Sequence, residues 1–255
     1  MDETRGGVPY PAYLKQSGFR FVERMHPGSD KIGIRPQSAK STIPEEHRLS
    51  PGQFQNITHN QANAFNIASE DQIQRGLAWY GIANQIADTL HPDIETSAGV
   101  IAALSGAGGE WGRNVRNAES FMKTGKLVYG AVGENVEKAR RILEGEHYRT
   151  VLPKGLKEVN FADLIVNPED PRGVAVDTQH YDLSTGLKMP WKEARRGLES
   201  QGRYNTIADA TRMVAERKGI LPNQLQAIDW LVWKELGHPS RGHPRAVDII
   251  RRNRG

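Results

Sequence analysis

Residues 152–186 read LPKGLKEVNFADLIVNPEDPRGVAVDTQHYDLSTG. The only β-like run in this stretch, Val174 to Val176, is too short to found a sheet. Asp177 closes that run just before a helical segment, where a carboxylate can cap the backbone N–H groups of Thr178 to His180. Leu152-Pro153 and Gly155 read as a tight turn between two helical segments. A chain built this way at its centre depends on helices packed against helices.

The flanks agree with that reading. Ser69 and Gln72 form a capping box ahead of Ile73, Leu77, Tyr80, Ala83, Ile86 and Leu90, a helical stripe that stops before His91-Pro92. Further helices are expected at about 94–105, at 112–123 (Val115, Ala118, Met122), and at 132–143 (Val132, Val136, Ala139, Leu143), the last closed by Gly145. Near the C-terminus, Tyr204, Ile207, Thr211 and Val214 make a stripe ending at Gly219. Pro222 then stands in a favoured first-turn position before Leu225, Ile228, Val232 and Leu236, with Gly237 as the stop. Residues 1–68 hold many Gly, Pro, Ser, Gln and Asn and no sustained helical period, so an irregular arm is expected there. The fold class is mainly α: a two-lobed helical array over 69–238, an irregular N-terminal arm, and a basic tail over 239–255. Neither a Rossmann nor a P-loop glycine signature occurs.

Composition narrows the function classes. With 37% hydrophobic and 25% charged residues and no apolar run near the roughly 20 residues a bilayer demands, a membrane span is not expected. The start MDETRGGVPYPAYLKQSG has no apolar h-region, so an intracellular, cytoplasmic location is expected. The absence of cysteine excludes disulfides and Cys-ligated metal clusters. His147, His180, His238 and His243 lack metal-ligand spacing, so neither metal nor cofactor is expected. The net charge of +4 is unevenly placed: Lys234, Arg241, Arg245, Arg251, Arg252 and Arg254 face only Glu235 and Asp248 over the last stretch. Such a tail suits phosphates, although a solvated, frayed terminus accounts for it equally.

The stretch 152–186 resembles the signature of the helix-hairpin-helix DNA glycosylases, the superfamily of endonuclease III and 8-oxoguanine DNA glycosylase. In that superfamily a hairpin L-P-G-V-G-x-K ends in a lysine, and a V-D-T-H or V-D-V-H segment supplies an aspartate about 18 to 20 residues later. Leu152, Pro153, Gly155 and Lys157 match the first part, and Val176, Asp177 and Thr178 the second. Upstream, AALSGAGGEWGRNV (102–115) is similar to the segment in which a helix ends in a loop that enters DNA at the lesion, with Ser105 and Asn114 as matching residues. Downstream, QLQAIDWLVW resembles the helix whose glutamine reads a base edge and whose aromatic, four residues on, stacks on the base. Gln226 and Trp230 occupy those places. The hairpin is one residue shorter than the family form, Lys154 stands where a glycine is usual, Gln179 replaces the histidine, and the iron-sulfur cysteines are lacking. These departures point to a divergent branch of a kind associated with phage and mobile-element proteins.

The resemblance implies a base-flipping enzyme acting on duplex DNA with an extruded base, or on a single strand, as a monomer. Gly155 would let backbone N–H groups approach a phosphate, the alternative being an ordinary helix-helix turn. Lys157 would attack C1′, and its Schiff base would permit strand cleavage, whereas an isolated lysine is otherwise solvated. The Asp177 carboxylate would stabilise charge developing on the sugar and assist deprotonation of the nucleophile, against the alternative of a plain N-cap. Gln226 and Trp230 would bind the base, unless Trp230 and Trp233 simply pack in the core. The loop from Gly106 with Trp111 would insert into the stack, Arg113 and Asn114 would lie near phosphate, and Ser105 and His180 complete the expected DNA contacts. The expected activity is therefore a DNA N-glycosylase with or without AP-lyase chemistry. The alternatives are a base-hypermodification enzyme on the same fold and a helix-hairpin-helix DNA-binding module without chemistry.

Overall fold

The computed structural model describes residues 4, 5, 8, 9, 51–105, 110–130, 133–152, 157–186, 198 and 201–237, and among these the chain is mainly helical. Thr4–Arg5 (β1) pairs antiparallel with Val8–Pro9 (β2), Thr4 opposite Pro9. The helices are α1 Pro51–Ile67, α2 Glu70–Leu90, α3 Ile94–Leu104, α4 Trp111–Thr124, α5 Gly133–Leu143, the single turn α6 Tyr148–Val151, α7 Lys157–Val166, α8 Thr178–Thr185, α9 Gln201–Lys218 and α10 Pro222–Gly237. None of the described helices is long and apolar enough to cross a membrane.

Local chemistry explains most of these boundaries. The capping box is reciprocal: the Ser69 backbone N–H donates to Gln72 Oε1 at 2.8 Å and the Gln72 N–H to Ser69 Oγ at 3.2 Å. Asp93 caps α3 by accepting from the N–H groups of Glu95 and Thr96. At the far ends, Gly145 (φ 103°) after α5 and Gly219 (φ 69°) after α9 adopt the left-handed backbone that a side chain disfavours. The run Val174 to Val176 is buried and joins no strand among the described residues.

The described chain divides into two compact units, one formed by residues 51–77 and 176–237, the other by residues 78–175. In the first, Ala64, Leu183, Ile228, Val232 and Trp233 form a core with Ile73, Leu77 and Leu236 packed against it. A second cluster gathers Val214, Ala215 and Leu225. In the other unit α3 lies at the centre, every residue from Ser97 to Leu104 being buried. Its composition, IETSAGVIAAL, is apolar or small on all sides, as a central helix requires. At Gly99 an added Cβ would stand 2.6 Å from the Cβ of Tyr148, so only glycine permits the approach of α6.

One expectation is corrected here. Residues 51–67, read as part of an irregular arm, form a helix that packs into the first unit. Its inward face runs Phe54, Ile57, Asn60, Gln61 and Ala64, all buried. Two amides interrupt the apolar stripe, and the hydrophobic period is lost at the point where a sequence reading would look for it.

Candidate functional site

Lys157 is the first residue of α7, and its ammonium reaches across to the end of α3. Lys157 Nζ donates to the Ser105 carbonyl oxygen at 2.9 Å and lies 5.4 Å from the centre of the Phe161 ring. Ser105 is the C-cap of α3, with its N–H on the Ala102 carbonyl and its hydroxyl donating to the Ile101 carbonyl at 2.7 Å. A helix C-terminus carries partial negative charge, so it is a favourable seat for an ammonium. Among the described residues Lys157 meets no carboxylate.

Next to this lysine lies an aromatic cluster. Trp79 on α2 and Trp111 at the start of α4 have ring centres 4.9 Å apart, and each approaches Phe161, at 5.9 and 6.1 Å. Tyr80 completes it edge-on to Trp79 at 4.7 Å. The two tryptophans are half-buried, whereas Tyr80 and Phe161 are buried. Asn114 is buried, and Arg113 is exposed with Nη2 donating to the Gly130 carbonyl at 2.8 Å. The structure thus brings Ser105, Trp111 and Lys157 to one neighbourhood, although they come from two separate sequence motifs. Gly106 and Gly155 lie outside the described residues, as does the basic tail.

In the other unit, Asp177 is the N-cap of α8, its Oδ1 accepting from the His180 N–H at 2.8 Å. The preceding residue is pinned by a hydrogen bond from the Val176 N–H to the Tyr204 hydroxyl at 3.0 Å. Asp177 is half-buried. His180, expected among the DNA contacts, is instead fully enclosed, so its imidazole has no open side for a phosphate. Its ring sits in a polar cluster drawn from four helices. Its Nε2 is 3.0 Å from Thr211 Oγ1, and its Nδ1 is 3.7 Å from Asp229 Oδ2. Gln61 Nε2 donates to Ser184 Oγ at 2.9 Å and to Thr211 Oγ1 at 3.2 Å.

The protonation of this cluster follows from its geometry. The Thr211 hydroxyl donates to the Ile207 carbonyl at 2.8 Å, so its oxygen accepts from His180 Nε2–H and the Nδ1 lone pair is left for Asp229. At 3.7 Å the two side chains are too far apart for a hydrogen bond, and both are fully buried. Burial therefore decides. It pushes the His180 imidazole down to about 3 and holds the Asp229 carboxyl well above the usual carboxylate range. Burial thus favours the uncharged form of each partner.

On α10, Gln226 and Trp230 are one turn apart, as expected, but Gln226 is buried and Trp230 is half-buried, with Lys234 Nζ 4.5 Å from its ring centre. Trp233 packs in the core. The residues that sequence reasoning left unremarked are Gln61, Ser184 and Asp229. A signal was present for two of them: Gln61 and Asp229 each follow a buried aliphatic, Ile57 or Leu225, by four residues, so each puts a polar group on a helix's inward face. Among the described residues no group of three or more His, Asp or Glu could hold a metal ion.

A family model described as a family of unknown function, DUF7178, matches residues 44–236. No curated protein and no solved structure matches the chain.

Proposed function

We propose that this chain, which belongs to the family of unknown function DUF7178, is a DNA N-glycosylase that releases a flipped-out base, with Lys157 as nucleophile. The observation that supports this reading most directly is the 2.9 Å hydrogen bond from Lys157 Nζ to the Ser105 carbonyl. It joins the hairpin motif to the motif read as the lesion-entering segment, two stretches some fifty residues apart in sequence. On the family resemblance, both motifs serve the extruded nucleotide.

The chemistry asked of the residues is modest. Lys157, as the free amine, attacks C1′ while the bond from C1′ to the base nitrogen breaks and its electron pair leaves with the base. One amine proton passes through a general base, the role assigned to Asp177 by the sequence motif, to the departing base, and the other goes to the ring oxygen as the sugar opens, which leaves an imine between Nζ and C1′. The Ser105 carbonyl orients Nζ through one directed hydrogen bond.

Borohydride reduction tests the proposal. Incubated with DNA carrying a panel of modified bases, the protein is expected to give a covalent adduct, and Lys157→Gln to abolish it while DNA binding persists. The same Lys157–Ser105 bond also favours a second reading, in which the ammonium merely caps α3 and the chain binds DNA without chemistry. Binding without base release or adduct on every DNA of the panel would decide for that reading.

A further inference from the structure

Arg75, Arg140, Arg141, Arg149 and Arg212 each meet a carboxylate within hydrogen-bonding distance. Arg113 and Arg116 on α4 do not: neither guanidinium has a carboxylate partner among the described residues. The nearest candidate along the helix, Glu119, is engaged by Lys123 at 3.1 Å. Two like charges three residues apart on one helix repel each other, and nothing described in the fold neutralises them.

Despite that repulsion, both side chains are held in place. The two guanidinium carbons lie 5.4 and 5.6 Å from the centre of the same ring, that of Tyr129, within cation–π range. Arg113 Nη2 donates to the Gly130 carbonyl at 2.8 Å, and Arg116 Nε to the Gly112 carbonyl at 3.2 Å. Tyr129 itself is fixed because its backbone N–H donates, at 2.8 Å, to Oδ1 of Asn117, a buried residue of α4. The ring and both guanidinium groups are therefore held by contacts within the chain, and such preorganisation lowers the entropy cost of binding.

The geometry points to Arg113, Arg116 and Tyr129 as a preformed phosphate-binding surface for a nucleic-acid backbone. Guanidinium groups offer planar forks of N–H donors that match phosphate oxygens, and here each fork keeps donors beyond the one bonded to a carbonyl. Tyr129 acts as the spacer that holds the two forks side by side. The inference deepens the glycosylase reading by assigning a surface that grips the strand, and it rests on that reading only for the choice of DNA as the nucleic acid.

The test is the salt dependence of duplex binding by the full chain, measured by fluorescence anisotropy on a labelled oligonucleotide. Arg113→Gln with Arg116→Gln is expected to lower the slope of log affinity against log salt by about 0.9 for each phosphate that is no longer neutralised. The paired Lys substitutions keep the charge and are expected to retain most of the slope. Tyr129→Ala, which leaves both charges but removes the spacer, should weaken binding with little change in slope. Circular dichroism confirms that each variant is folded, and base release is measured in parallel on saturating DNA. An unchanged slope in the folded Gln variant overturns this surface, even if base release continues. A reduced slope with no base release in the wild type sustains the surface and overturns the glycosylase reading. Absence of any nucleic-acid binding overturns both.

Discussion

The Nδ1 of His180 and the Oδ2 of Asp229 face each other at 3.7 Å with both side chains fully buried, an acid and a base held just beyond hydrogen-bonding reach. Among the described residues neither oxygen of Asp229 has a hydrogen-bond partner. A buried carboxyl in that condition destabilises the fold, because the unfolded chain ionises it freely in water whereas burial disfavours its ionised form in the folded chain.

Asp229→Asn, which keeps the size and removes the ionisation, is therefore expected to stabilise the protein by about 1 to 3 kcal/mol at pH 7. Its sign with pH is fixed. The raised Asp229 value favours the folded state fully at pH below the ordinary carboxylate range, and that contribution is lost as pH rises toward the folded value. The advantage of the variant should accordingly grow from about pH 4 upward. His180 acts at the acid side: its value falls from 6.5 to about 3 on folding, so wild type and variant alike should lose stability as pH drops from about 6.5 toward 3. Urea midpoints across pH 4 to 8 measure both trends. A variant less stable than wild type by the same amount at every pH would mean that Asp229 is an ionised partner of His180.

Asp177 can be examined for two roles separately. Asparagine caps a helix about as well as aspartate, so Asp177→Asn should leave stability nearly unchanged, whereas Asp177→Ala should cost about 1 kcal/mol. On the glycosylase reading, both should slow base release by orders of magnitude, since the negative charge acts on the transition state. Equal activity in Asn and wild type, with only the Ala variant unstable, would reduce Asp177 to a cap.

Gly99→Ala probes the close approach inside the other unit. The added methyl would stand 2.6 Å from Tyr148 Cβ and 3.1 Å from Ile142 Cγ2. Relief needs a shift of α6, and the cost is expected at about 1 to 3 kcal/mol even though alanine favours a helix by nearly 1. Thermal unfolding decides; a more stable variant would show that α6 packs elsewhere.

How far the sequence revealed these features depended on how each residue advertised itself. Caps and stops were readable because they are local: Ser69 with Gln72, Asp177 before α8, Gly145 and Gly219 each act on their own turn. The reading of α1 failed because its inward face carries Asn60 and Gln61, whose partners, Ser184 and Thr211, lie more than a hundred residues away. A residue whose burial is justified only by distant partners looks like a surface residue in sequence. His180 misled for the same reason, since a histidine beside a motif reads as a ligand until its enclosure is seen. Neither the contact of Lys157 with Ser105 nor the aromatic grouping of Trp79, Trp111 and Phe161 had a sequence signature.

Gln61, His180, Ser184 and Thr211 come from three different helices and meet in one enclosed spot. Oily side chains can slide past one another and settle in several registers, but donors and acceptors with fixed directions match in one. During descent, such a group behaves as a single inherited unit: exchanging one member strands the others, so tolerated changes have to arrive together. Among members of the family these four positions should vary as a set, some lineages keeping all four and others replacing all four with apolar residues of similar bulk.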